Sequence, residues 1–174
     1  MSNVRIRRAF PADIAAITRI YADAVLHGTA TFEIEPPDEA EMARRQQTLL
    51  TKRYPYLVAE QDGMVVGYAY AGPYRDRPAY DWCVEDSIYV APEFYRKGIG
   101  RLLLKRLIAE SEGLGFRQMV AVIGDSAQAG SIAVHEKAGF TLIGTLRSVG
   151  FKHGRWLDTV LMQRALGRGD TSPP

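Results

Sequence analysis

Apolar residues recur along this chain with two periods, and each change of period marks an element boundary. Val4-Arg5-Ile6-Arg7 alternates as a strand does. Pro11-Ala12-Asp13 opens a helix in which Ile14, Ile17, Tyr21, Ala24 and Val25 share a face, and Gly28 ends it. Asp38 caps a second helix over residues 39–52, after a loop over 27–37 that carries Phe32. Residues 56–60 and 65–70 flank an Asp62-Gly63 turn and predict a β-hairpin. A loop over 72–82, rich in Arg and aromatics, leads to a strand over 84–90. Ile99, Leu103 and Leu107 then line one face of a helix over 98–112, with Leu104 and Ile108 beside them. An apolar strand over 118–123 and a helix over 129–137, stopped by Gly139, come next. Two strands over 141–146 and 157–162, around a turn region at 150–155, complete the order β-α-α-β-β-β-α-β-α-β-β. The expectation is one mixed α/β domain over residues 1–166 and a disordered tail over 167–174.

Composition narrows the class. The chain has 174 residues, 47% of them hydrophobic, which suits one sizeable core. A net charge of +2, with basic residues dispersed outside one loop, argues against a nucleic-acid partner. Cys83 is the single cysteine, so no internal disulfide can form and a reducing compartment is expected. The charged first ten residues do not read as a signal peptide, and no apolar run is long enough for a membrane span. The expectation is a cytoplasmic enzyme with no membrane partner. His27, His135 and His153 show no metal-ligand spacing, so no metal is expected.

The chemistry begins at Tyr95-Arg96-Lys97-Gly98-Ile99-Gly100-Arg101, between the 84–90 strand and the following helix. The first amides of a helix lack intrahelical partners, and the helix dipole adds positive potential there. Gly98 and Gly100 admit a phosphate close to the backbone, and Arg96, Lys97 and Arg101 add charge. The run lacks the Gly-Lys-Ser/Thr of a Walker A loop and the three-glycine dinucleotide spacing. It resembles the acetyl-CoA loop of GNAT-superfamily acetyltransferases, Gln/Arg-x-x-Gly-x-Gly/Ala, with Tyr95 in place of the first residue. The element order is also that of the GNAT fold, whose mostly antiparallel central sheet has two strands splayed at the acetyl-CoA site.

A closer resemblance lies in Ala79-Tyr80-Asp81-Trp82, in Ala121-Val122-Ile123-Gly124 and in Gly150-Phe151-Lys152-His153-Gly154. These strings resemble the phosphinothricin N-acetyltransferases, relatives of which act on methionine sulfone and sulfoximine. The resemblance implies acetyl transfer to the α-amine of a small amino acid, in a detoxifying role. It implies Glu85 as general base, directly or through water. Asp86 is the neighbouring competitor, and strand alternation turns only one of the two into the cleft. The backbone of Ile88, Tyr89 and Val90 would meet the pantetheine arm, with the amide of Tyr89 or Val90 as oxyanion donor. His135 would protonate the departing thiolate or pack against the cofactor. Gln128 and Ser131 would line the cofactor's path, Gln128 standing where many relatives have Asn. Arg75, Arg77 and Tyr80 would bind the acceptor's anionic groups, with Phe32 as an apolar wall and Ile123 and Gly124 beside it. Glu33 stands where herbicide-acetylating relatives carry Arg, so neutral, polar acceptor side chains are expected to be preferred. A homodimer is expected, with Lys152, His153 and Trp156 near the partner and the substrate pocket. Two alternatives stay open: another acceptor, such as a protein N-terminus or a polyamine, and a non-catalytic CoA-binding regulator.

Overall fold

A computed structural model describes residues 4–174. The elements follow the expected order: β1 (Val4–Arg8), α1 (Ile14–His27), α2 (Glu39–Thr51), β2 (Tyr56–Gln61), β3 (Met64–Pro73), β4 (Cys83–Val90), α3 (Ile99–Gly113), β5 (Gln118–Gly124), α4 (Ala129–Lys137), β6 (Thr141–Lys152) and β7 (Arg155–Ala165). The strands form one sheet in the order β1-β2-β3-β4-β5-β7-β6. Every pairing is antiparallel except β4 with β5, where α3 supplies the crossover.

Helices cover both faces of the sheet. Alternation in β2 sends Leu57 and Ala59 toward α3, where they join Leu103, Leu104, Leu107, Met119 and Met162. Tyr56 and Val58 point the other way, to Ile17, Tyr21, Val25 and Met42 of α1 and α2. Each fully buried Leu or Ile contributes roughly 1.5–3 kcal/mol of transfer free energy. A bulge between Ala59 and Glu60 opposes them to Gly67 and Val65, leaving Val66 unpaired. Val66 therefore packs on the α3 side with Ala69. Gly67 lets α3 seat closely, since a Cβ there would lie 3.3 Å from Leu103 Cδ1 and 3.0 Å from Tyr89 O.

One pairing is short. β4 meets β5 only from Cys83↔Gln118 to Asp86↔Ala121. β3 holds β4 along its whole length, and β7 holds β5 likewise. Beyond Asp86 the two strands diverge, and a V-shaped notch opens between fixed walls.

One region differs from the sequence-based expectation. β6 runs on to Lys152, and the turn shrinks to His153-Gly154, with φ 53° and 73°. Irregularities between Leu142 and Gly144 and between Leu146 and Gly150 break its alternation, which hides the strand in the sequence. Past β7, residues 167–170 form turns. Leu166 is buried in the core, and the Arg117 guanidinium donates to the carbonyls of Ser172 and Pro173.

Candidate active site

The notch of β4 and β5 is lined by Asp86, Ser87, Ile88, Val122, Ile123, Gly124, Gln128, Ser131 and His135. Ala91 N–H donates to Val66 O. With Gly67↔Val90 in register, antiparallel alternation then directs the amides of Ser87 and Tyr89 to β3 and those of Ile88 and Val90 into the notch. Of the two candidate oxyanion donors, Val90 therefore presents its amide to the cleft, and Tyr89 spends its own in the sheet. At the far end of β4, Arg96 (φ 61°) and Gly98 (φ 81°) are left-handed, and Gly98 caps α3. A Cβ at Gly98 or Gly100 would meet nothing within 4 Å, so their backbone is open. Ile99 is buried and anchors the helix start, Arg101 is exposed, and Lys97 lies over the Phe94 ring at 4.6 Å. Outward amides of a helix start, basic side chains and a free strand edge fit a pyrophosphate followed by an extended, amide-bearing arm.

The two carboxylates at the head of the notch face opposite sides. Glu85 lies on the tyrosine side of the sheet. There Tyr56, Tyr68, Tyr70 and Tyr89 stack with ring centroids 5.1–6.3 Å apart. Burial, and secondarily the Asp86 charge, push the Glu85 carboxyl up to about 7. Such a group is poised to accept a proton near neutral pH. Asp86 points to α4, where its Oδ2 lies 3.0 Å from His135 Nε2. The other ring nitrogen, Nδ1, donates to Ser131 O at 2.8 Å. Phe140 packs edge-on against the imidazole at 5.0 Å. Burial alone would lower the His135 pKa, but the Asp86 carboxylate and the Ser131 carbonyl outweigh it and raise it.

On the tyrosine side, Phe32 is wedged between two glycines. A Cβ at Gly124 would strike Thr29 O and the Phe32 ring, and a Cβ at Gly150 would strike that ring. The Phe32 loop is tied down on both flanks. Tyr21 Oη lies 2.9 Å from Thr31 Oγ1 and also donates to Glu33. Lys152, only 4% exposed, donates to Thr31 O at 2.8 Å. Gln128 donates to Thr29 Oγ1 at 2.9 Å, tying the start of α4 to this loop. Glu33 is not a bare charge: Arg45 of α2 donates to it at 2.6 Å. The repulsion of an anionic acceptor expected from Glu33 is therefore largely met inside the protein. Arg75, Arg77 and Tyr80 lie on the exposed β3–β4 loop, at the Glu85 end of β4, with Tyr80 edge-on to Tyr74 at 5.7 Å and Arg75 over the Tyr74 ring.

Sequence reading missed the Arg45–Glu33 and Asp86–His135 pairs, because both join residues far apart in the chain. It also missed the tyrosine stack, although the alternation of Tyr68 and Tyr70 hints at it.

Comparison with known proteins agrees with this geometry. The model of the "Acetyltransferase (GNAT) family" matches residues 16–140. The chain is 53% identical over 162 residues to a phosphinothricin N-acetyltransferase of Alcaligenes faecalis, covering 93% of this chain and 82% of that protein. It is 43% identical to the L-methionine sulfoximine/L-methionine sulfone acetyltransferase of Salmonella typhimurium, covering 92% of this chain and 94% of the relative. A crystal structure of a GNAT-superfamily phosphinothricin acetyltransferase from Sinorhizobium meliloti, in complex with AcCoA, superposes with a TM-score of 0.97. It is 51% identical and covers all of this chain and 94% of the other. The fold is thus shared with a structure of that class, and the chain belongs to the GNAT acetyltransferase family.

Proposed function

We propose that this protein is an acetyl-CoA-dependent N-acetyltransferase for the α-amine of small amino acids such as phosphinothricin, methionine sulfone or methionine sulfoximine. The observation that carries this reading is the row of unpaired β4 amides. It runs from the open backbone at Gly98 and Gly100 to a buried carboxyl raised to about 7. Acetyl-CoA supplies the acetyl group as a thioester. Gly98, Gly100, Arg96, Lys97 and Arg101 hold its phosphates, and the Ile88 and Val90 amides hold its arm. Glu85 takes a proton from the acceptor ammonium. The Val90 N–H stabilises the oxyanion, a contact worth about 3 kcal/mol at comparable sites. His135 stands on the thiol side. Phe32, Ile123 and Gly124 shape the acceptor pocket, and Arg75, Arg77 and Tyr80 receive the acceptor's anionic groups. Acetylation would remove the α-ammonium charge, which fits a detoxifying role.

Thiol release from acetyl-CoA tests this with L-phosphinothricin, L-methionine sulfone, L-methionine sulfoximine, spermidine and a peptide with a free N-terminus. Turnover with the amino acids is expected. Release only with spermidine or peptide would overturn the acceptor, and no release with any would overturn the enzymatic reading.

We also propose a homodimer. Leu142, Ile143, Leu146, Val149, Phe151 and Trp156 are exposed on the β6–β7 hairpin, at the edge of the sheet. A cytoplasmic location accords with the lone free Cys83.

A further inference from the structure

Asp86 sits at the vertex of the notch, in the last residue pair that joins β4 to β5. Its side chain is 2% exposed and that of His135 is 5% exposed. Burying two ionisable groups is costly unless each satisfies the other. Both nitrogens of His135 face acceptors. Ser131 O can only accept, so Nδ1 carries a proton, and the Asp86 carboxylate claims a second proton on Nε2. Asp86 is the ion-pair partner of His135 among the described residues. Phe140 packs edge-on against the ring, and apolar Ala121 and Ile123 line the same notch. Glu85 faces away across the sheet, and Glu136 and Lys137, its helix neighbours, are exposed. The Oδ1 atom of Asp86 is buried without a partner, so the carboxylate is not satisfied by any other donor.

We propose that Asp86 is a positioning residue of the transfer reaction, holding His135 as an imidazolium whose Nε2 proton goes to the departing sulfur. The inference rests on the acetyltransferase reading above. In the step, the acceptor ammonium gives one proton to Glu85, which releases it to solvent; the neutral nitrogen then bonds to the acetyl carbon and gives its second proton to Glu85. The carbon–sulfur bond breaks and its electron pair stays on sulfur. The proton shared between Nε2 and Oδ2 passes to that sulfur, leaving a thiol and a neutral imidazole still donating from Nδ1 to Ser131 O. The sheet thereby separates its acid from its base: Asp86–His135 serve the thiol on one face, and Glu85 serves the amine on the other. The raised His135 pKa accords with this division.

Nitrogen-15 NMR of the imidazoles reads the charge state directly, with His135 assigned by its loss in His135→Gln. In the wild type, both nitrogens of His135 are expected to be protonated at about pH 7.5. In Asp86→Asn, a neutral ring protonated at Nδ1 is expected. The variant's kcat should fall about 10²-fold at that pH. The alkaline limb of its kcat profile should move to lower pH, while KM for acetyl-CoA holds. Asp86→Glu, which keeps a carboxylate, is expected to restore the wild-type limb. A neutral His135 in the wild type would overturn the proposal. So would an alkaline limb that stays in place in Asp86→Asn, which is the result of a purely structural role. Should Asp86→Asn fail to fold, the wild-type spectrum and the Asp86→Glu profile decide. The parent reading is judged separately, by wild-type thiol release.

Discussion

Glu85 carries two opposite consequences. Its carboxyl is raised from its ordinary value to about 7, first by burial and then by Asp86. A carboxyl with a folded-state pKa above the unfolded one favours the folded state below the unfolded pKa. That contribution is lost as pH rises through the folded value. Ionised Glu85 therefore weakens the fold above about pH 7. Glu85→Gln is expected to lower kcat/KM by roughly 10²–10⁴. It should also stabilise the protein at about pH 8, on the order of 2 kcal/mol after allowance for partial exposure, with little gain near pH 4. Thermal melts at both pH values check the sign, and an equal Tm change at each would refute it. The wild-type kcat/KM should fall as pH drops below about 7. Glu33 offers a second test at this scale. With Arg45 and Tyr21 on its carboxylate, phosphinothricin and methionine sulfone are expected to be acetylated with comparable efficiency. Arg45→Ala uncovers the charge and should depress phosphinothricin turnover more than sulfone turnover, about tenfold. Equal losses on both would show that Arg45 does not screen Glu33. The position of Glu85 was legible, because it precedes Ile88-Tyr89-Val90 and the glycine loop. The partners of Glu33 and His135 were not, since Arg45 and Asp86 meet them only after long-range folding.

At the level of elements, each helix and strand could be read where one face alone is buried. α1 and α3 show a clear apolar stripe, and the residues on it are buried, most of them within the two cores. β6 was cut short because its apolar residues are exposed and irregularities interrupt its alternation. No local signal marks the end of the β4–β5 pairing, because the register of a parallel pair depends on strands brought together by α3. A further feature joins elements through missing side chains: Gly124 of β5 and Gly150 of β6 leave room for the Phe32 ring. Gly150→Ala tests it, since the three atoms nearest the added methyl all belong to that ring. The expected outcome is KM for the amino acid raised at least about tenfold, with KM for acetyl-CoA unchanged. Steady-state kinetics with both substrates varied would show it. A rise in both constants together would mean that the change spreads beyond the acceptor wall.

The whole molecule ends its sheet on an exposed apolar hairpin, and this bears on its assembly. Trp156 is 64% exposed and Leu142 61%, with Phe151 edge-on to Trp156 at 5.3 Å. β6 is an edge strand with one row of backbone groups unpaired in the sheet. Proteins seldom leave this many large apolar side chains exposed on one hairpin, and in the proposed dimer a second copy would cover them with the same residues about a two-fold axis. A stable pair needs roughly 1,000 Å² or more of buried surface, which a hairpin with strands of 12 and 11 residues facing its own copy can contribute to substantially. The hairpin is also part of the site: Gly150 seats Phe32, Lys152 holds Thr31, and His153 lies 3.1 Å from Gly28 O. Dimerisation would therefore brace the acceptor wall as well as hide the patch. Light scattering is expected to give twice the 19.4 kDa chain mass. Trp156→Asp is expected to shift the protein to the single-chain mass and to raise KM for the amino acid before that for acetyl-CoA, because the phosphate loop lies at the other end of β4. A wild type at the single-chain mass would refute the dimer. A monomeric Trp156→Asp with unchanged acceptor kinetics would show that the hairpin needs no partner to hold Phe32.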